Sequence, residues 1–146
     1  MEIENPKISV IIPTYNEEEN IKETLLALKN QQTNIPYEIV VSDGGSIDNT
    51  VKIAKNYAKV YNSPQKGKVN QLNYIIKYLK SDLFLFLDAD TLIDPFFIQK
   101  IYNLFEEDEE LFACSARYKY YDGKVLSFNI GSLTLTLTDY FFLNFL

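Results

Sequence analysis

The chain of 146 residues, 47% hydrophobic and 23% charged, has the size and make-up of one globular domain with its own core, which excludes an intrinsically disordered segment. It has no histidine and a single cysteine, Cys114, which excludes histidine general bases, Ser–His–Asp and Cys–His nucleophile systems, histidine-containing zinc sites and an internal disulfide. Fourteen basic against 20 acidic residues, a net charge of −6, exclude the cationic stripe that nucleic-acid binding needs.

The first predicted element is Ile8 to Ile12, a nearly continuous β-branched run closed by Pro13, which suits a strand buried on both faces of a parallel sheet. Thr14 or Asn16 then offers a helix cap, Glu17, Glu18 and Glu19 place acids in the first turn, and Ile21, Leu25 and Leu28 follow at helical spacing. A second strand runs from Tyr37 to Val41, and Asp48 or Asn49 caps a short helix carrying Val51, Ile53, Ala54 and Tyr57. Val60 and Tyr61 read as a third strand, and Lys68 to Leu79 as a helix with Leu72, Ile75, Ile76 and Leu79 on one face. Leu83 to Leu87 is a wholly apolar strand leading into Asp88-Ala89-Asp90, and a helix follows from Pro95 to about Glu107. Apolar strands alternating with helices are the signature of βαβ units and a mostly parallel sheet, hence an α/β fold.

Beyond Leu111 the pattern changes. Residues 112–121 and 124–128 read as strands around an Asp122-Gly123 turn, while residues 133–138 suit a strand or a helix face equally well. Residues 125–146 carry one charge, Asp139, and end in a run of aromatics and leucine. Such a segment is expected to pack on a missing region or a protein partner, to form a C-terminal core helix of this domain, or to meet a membrane surface. The polar, acidic Met1 to Lys7 does not read as a signal peptide, so the expected location is cytoplasmic, peripheral to a membrane where the apolar end meets one.

In an open α/β sheet, ligands bind beyond the carboxyl ends of the strands. Three segments stand there: Pro13-Thr14-Tyr15-Asn16-Glu17, Ser42-Asp43-Gly44-Gly45-Ser46 and Asp88-Ala89-Asp90. Two carboxylates one residue apart at the end of an apolar strand conflict unless one shifts its pKa or a cation joins them. Mg²⁺ or Mn²⁺ suits such oxygen ligands, typically one or two carboxylates plus substrate phosphate. Adjacent glycines let a backbone approach a ligand closely, and Asp43 is placed to accept hydrogen bonds from a base or ribose. With Arg117 the sole arginine, Lys66 and Lys68 are the natural phosphate partners.

These segments resemble family 2 glycosyltransferases, nucleotide-sugar enzymes of the GT-A fold. Ile11 to Ile21 is similar to the family's opening motif, Ser42 to Thr50 to its second, Gly67 to Asn73 to its Gly-Lys…Leu-Asn helix start, and Phe86 to Thr91 to its D-x-D strand end, with Asp94-Pro95 continuing the likeness. The resemblance implies a Rossmann-like three-layer α/β/α sandwich, with residues 1–121 as the nucleotide-sugar-binding domain and 122–146 as the start of a missing acceptor-side region, so that the C-terminal part is truncated. It implies that Pro13, Tyr15, Glu17 and Asp43 hold base and ribose, that Lys68 lies near the nucleotide, that Asp88 contacts ribose or metal, and that Asp90 coordinates the Mg²⁺ or Mn²⁺ on the diphosphate. The implied partners are a nucleotide-diphosphate sugar and a sugar or lipid-linked acceptor, joined by an inverting displacement.

The sequence departs from the family at two points. Gly44 stands where many members have a second aspartate, and neither Asp122 nor Asp139 stands in the later acidic motif that supplies the family's general base. The expectation is therefore a metal-dependent donor-binding half, weak or inactive by itself. A nucleotidyltransferase fits less well, because its Gly-rich basic loop is replaced by Pro13 to Glu17; a phospho-acceptor receiver would not need Gly67-Lys68; a non-catalytic nucleotide-binding or partner-binding remnant is the remaining alternative.

Overall fold

The structure, a computed structural model, describes residues 5–115, 118–121 and 124–127, the last two stretches as backbone. In chain order the elements are β1 (Ile8–Thr14), α1 (Ile21–Lys29), β2 (Tyr37–Asp43), α2 (Thr50–Ala54), β3 (Lys59–Asn62), α3 (Lys68–Ile76), β4 (Leu83–Phe86), β5 (Thr91–Leu92), α4 (Phe97–Glu107), β6 (Tyr118–Tyr121) and β7 (Lys124–Ser127). The first four strands form one sheet in the order β3-β2-β1-β4, and every pairing in it is parallel. A second sheet, ordered β5-β7-β6, pairs β5 with β7 in parallel and β6 with β7 antiparallel.

The β-branched run of β1 is buried on both faces, and its alternation sorts the core into two layers. Val10 and Ile12, with Ile39 and Val41 of β2, pack against Ile21, Leu25 and Leu28 of α1, Ala54 of α2, and Phe97, Ile98 and Ile101 of α4. Ile11 and Val40 face the other way, onto Leu72 and Ile75 of α3. Helices thus cover both faces of a parallel sheet, the three-layer α/β/α arrangement, and such strands must be apolar along their whole length.

Helix starts differ from the sequence expectation, and the reason is tertiary. The three acids Glu17, Glu18 and Glu19 precede α1 instead of occupying its first turn, which contains Glu23. The Glu17 and Glu18 N–H groups find their acceptors in the β2–α2 loop: Thr50 Oγ1 at 2.7 Å and Asp48 Oδ2 at 3.1 Å. Asn16 therefore enters at φ +55° and does not cap α1, whose N-cap is Asn20. Asp48 does support α2, accepting the Thr50 N–H at 2.9 Å. Helix α4 begins at Phe97, two residues later than expected, and no local side chain caps it. Its Ile98 N–H donates to Gln31 Oε1, 3.0 Å away, just beyond the end of α1, while Gln31 Nε2 donates to the Asp94 carbonyl at 2.8 Å.

Helix α3 stops at Ile76, short of Leu79, and residues 112–115 are irregular instead of strand. The two-residue β5 has too few side chains to leave a periodicity. The Asp122-Gly123 turn, residues 133–138 and Asp139 lie outside the described residues. No helix among the described residues is long and apolar enough to cross a membrane.

Thr50 is fully buried, and its hydroxyl accepts the Glu17 N–H while donating to Asp48 Oδ1. Thr50→Val keeps the shape and leaves the Glu17 donor unpaired, so we expect a loss of about 1–3 kcal/mol. Urea unfolding should show a lower midpoint at unchanged slope.

Candidate functional site

All four parallel strands point their carboxyl ends to one edge, and the loops leaving β1, β2 and β4 meet there with the start of α3. The β1 and β4 loops and the start of α3 line a cavity of about 340 Å³. Pro13, Tyr15 and Glu17 bound it on the β1 side, Lys66 and Lys68 on the α3 side, and Asp88 and Asp90 on the β4 side, with Thr14, Gly67, Gln71 and Ala89 between them. Six of the seven residues expected from sequence are thereby brought together.

Asp43 is the seventh, and it lies behind the others. Its side chain is buried and is not part of the cavity wall. Oδ1 accepts from the Thr14 and Ser46 hydroxyls, and Oδ2 from the N–H groups of Gly45 and Ser46 at 2.9 and 2.8 Å. A carboxylate has about four acceptor positions, and here protein donors take them. Asp43 shapes the loop, with Gly45 at φ +90° supplying the left-handed turn that wraps it.

The two loops then lock together. Asn16 N–H donates to Ser46 Oγ, and Asn16 Oδ1 accepts the Ile47 N–H, both at 2.9 Å. Glu18 Oε2 accepts from the Asn49 N–H and side-chain amide at 2.9 and 2.8 Å. Burial acts to raise the Asp48 carboxyl pKa, but hydrogen bonds from the Thr50 hydroxyl, the Thr50 N–H and the Glu18 N–H outweigh it and hold the carboxyl below its ordinary value of 3.8.

Gln71 is the site residue that the sequence did not single out beyond its place in a motif. It is 3% exposed. Its Nε2 donates to two backbone carbonyls at the strand ends, Thr14 O at 2.7 Å and Ser42 O at 2.6 Å, and Ser42 Oγ donates back to the Gln71 carbonyl at 2.9 Å. The amide lies against Gly44, where a Cβ would come within 3.0 Å of Gln71 Cδ. A side chain at 44 would therefore need the Gln71 amide to give way by a few tenths of an ångström. The signal in the sequence was a polar residue four positions before Ile75, on the inward face of an amphipathic helix.

The D-x-D segment is a tight turn. The Thr91 N–H donates to Asp88 O at 3.1 Å, and Ala89 is buried, its carbonyl accepting Thr24 Oγ1 at 2.6 Å from α1. Anchoring the middle residue leaves the two carboxylates to the cavity. Asp88 pairs with Lys68, whereas Asp90 has no hydrogen-bond or ionic partner among the described residues. Lys66 Nζ sits 3.4 Å from the centre of the Tyr15 ring, a cation–π contact across the mouth. No group of three or more Cys, Asp or Glu suited to a metal occurs among the described residues. A cation here would draw at most two ligands from Asp88 and Asp90 and the remainder from ligand oxygen and water. Cys114 takes no part, and burial pushes its thiol pKa up.

Two predictions follow from this geometry. Gly44→Ala drives a methyl against the Gln71 amide and disturbs both strand-end hydrogen bonds, so we expect about 1–3 kcal/mol of destabilisation in urea unfolding. Because the Asp48 carboxyl pKa is depressed, its stabilisation is fully present above the unfolded-state value and disappears as pH falls through the lower folded value. Asp48→Asn should remove that part of the acid-side dependence, as read from thermal melts between about pH 5 and pH 2.

Comparison with known proteins bears on the same edge of the sheet. The chain is 33% identical over 118 residues to the dolichol-phosphate mannosyltransferase of Pyrococcus furiosus, covering 77% of this chain and 33% of that protein. Among solved structures it is similar to S. aureus TarS 1-349 in complex with UDP-GlcNAc (TM-score 0.64, 31% identity, 70% of this chain and 32% of that one). It is also similar to the Pyrobaculum calidifontis mannosyltransferase PcManGT in complex with GDP-Man and Mn²⁺ (TM-score 0.54, 28% identity, 61% and 29%). The chain spans about a third of the length of these relatives. The model of the family described as Glycosyl transferase family 2 matches residues 9–142, a stretch that takes in every loop of the cavity, and the chain belongs to that family.

Proposed function

We propose that this chain forms the donor half of a metal-dependent, inverting glycosyltransferase and that its cavity binds a nucleotide-diphosphate sugar. The observation that carries the reading is the charge arrangement: two lysines and two strand-end aspartates around one cavity, with Asp90 unpaired among the described residues. A nucleoside diphosphate brings several negative charges to a wall that already holds Glu17, Asp88 and Asp90. Lys66 and Lys68 alone do not balance that sum. Asp90, with Asp88, fits a Mg²⁺ or Mn²⁺ ion in the manner usual for hard cations, one or two carboxylates with phosphate and water completing the shell. The Mn²⁺ in the GDP-Man complex of PcManGT supports the same assignment.

A cation bound there supplies stabilisation of the negative charge that develops on the departing diphosphate. The protein's own residues do the rest of the donor-side work. Lys68 exchanges Asp88 for phosphate as the ligand enters, which leaves Asp88 for the metal or ribose. Pro13, Tyr15 and Glu17 border the nucleoside, with Lys66 beside the Tyr15 ring. Attack by an acceptor hydroxyl on the anomeric carbon forms the new glycosidic bond as the bond to the diphosphate breaks. That hydroxyl must lose its proton, and a general base is typically worth about 10²–10⁴-fold. With Asp88 and Asp90 engaged on the donor, we assign the base and the acceptor site, sugar or lipid-linked, to elements beyond the described residues. The transfer rate of this chain alone is accordingly expected to be low.

The test is a thermal-shift titration with UDP, GDP and UDP-glucose, each with and without Mn²⁺. A ligand that binds only the folded state adds about 2.7 kcal/mol at a hundred times its dissociation constant. We expect metal-dependent stabilisation that is lost in Asp90→Ala. Equal stabilisation without metal would remove the cation from the mechanism, and no stabilisation by any of the three would remove the donor site.

A further inference from the structure

We propose that Thr24, in the middle of α1, is a positioning residue for the cation: its hydroxyl fixes the central peptide of the D-x-D turn and thereby holds the Asp90 carboxylate in place. The inference rests on the reading of Asp90 as a ligand of Mg²⁺ or Mn²⁺ and adds to it the residue that aims that ligand.

The hydrogen bond from the Thr91 N–H to Asp88 O closes a four-residue turn with Ala89 and Asp90 at its centre. Neither central residue has a positive φ, which excludes the turns that need one and leaves the type I orientation of the Ala89–Asp90 peptide. That peptide is the soft part of such a turn. Flipping it to the type II orientation needs a positive φ at Asp90, and aspartate enters that region more readily than most residues. The residue types alone therefore do not hold the turn. Thr24 does, because the Ala89 carbonyl oxygen that accepts its hydroxyl at 2.6 Å belongs to this same peptide. A flip would turn that oxygen away from α1 and change, with φ, the rotamers open to the Asp90 side chain.

The two carboxylates differ in what steadies them. Asp88 is paired with Lys68, whereas Asp90 has no side-chain partner among the described residues, so its placement rests on its backbone. Thr24 is also an unexpected choice if packing were its whole task. It is 1% exposed in a helix, where valine would fill the same volume and alanine would favour the helix more. A threonine hydroxyl within a helix usually turns back to a carbonyl of the preceding turn. Here it crosses to a residue 65 positions later. A metal ligand misplaced by a fraction of an ångström binds poorly, and groups that orient a ligand from behind are worth about 10–100-fold in metal affinity.

The experiment is titration calorimetry of the full chain with UDP and with GDP across a series of Mn²⁺ concentrations, which gives the Mn²⁺ needed for half-maximal nucleotide binding. Thr24→Val should raise that concentration about 10–100-fold, and Thr24→Ser, which returns the hydroxyl, should stay within about threefold of the wild type. Ser81→Ala is the control for a buried hydroxyl lost elsewhere: Ser81 Oγ donates to Ser9 Oγ and Leu83 O just before β4, at the opposite end of that strand, and its loss should leave the Mn²⁺ requirement unchanged. A folded Thr24→Val with the wild-type requirement, a Thr24→Ser as demanding as Thr24→Val, or an equal rise in Ser81→Ala would each overturn the assignment while leaving the donor site standing. Should the wild type bind neither nucleotide in a Mn²⁺-dependent way, or Asp90→Ala bind as the wild type does, the cation reading falls and this inference with it. If Thr24→Val does not fold, Thr24→Cys, similar in size and a weaker donor, is judged by the same outcomes.

Discussion

Everything at the functional edge depends on β1 being hydrogen-bonded in parallel on both sides, to β2 and to β4. Parallel neighbours force each connection to return across a face of the sheet before the next strand begins. The chain is therefore obliged to turn at the same edge after β1, β2 and β4, and whatever chemistry those turns carry is gathered there. The long apolar runs of the strands are the cost of that arrangement, since helices cover both faces. The polar cluster is its product.

Gathering loops is not the same as holding them still. Two kinds of buried polar group do that here. Asp43 gathers its own loop onto the end of β1, drawing four hydrogen bonds onto a single carboxylate, and Gln71 joins the ends of β1 and β2 from α3. Both lie within the protein, where an unmade hydrogen bond is more damaging than on the surface. The ligand-facing groups, Lys66, Lys68 and Asp88, are by contrast exposed. The site thus separates residues that set geometry from residues that offer charge, and the second group can change partners without disturbing the first.

The sequence was most legible where one residue type repeats. The runs Ile8 to Ile12, Tyr37 to Val41 and Leu83 to Leu87 announce buried strands, and the positions of the three loops then follow from topology. It was least legible where a group's partner is distant in the chain. Nothing local shows that Glu17 and Glu18 bond to Thr50 and Asp48 instead of opening a helix. Nothing local shows that Asp43 has no acceptor capacity left over, because its donors come from Thr14 as well as from its own loop. Gln71 was overlooked for the complementary reason: a glutamine reads as a surface residue unless the face on which it falls is counted. β5 escaped because two residues leave no period, and its partner β7 is more than thirty residues away.

The absence of a local cap on α4 has a consequence for how the molecule comes together. Its Ile98 N–H depends on Gln31, 67 positions earlier, and its backbone entry at Asp94 is held by the same side chain. A helix of 11 residues is marginal in isolation even with good ends. Helix α4 is therefore poorly suited to form ahead of its surroundings. The Ile98 N–H in its first turn acquires its acceptor only once α1 has docked on the sheet and presented Gln31, which makes α4 a late and cooperative addition to folding. It also means that a disturbance at the end of α1 reaches, through one amide, the segment that follows the D-x-D turn.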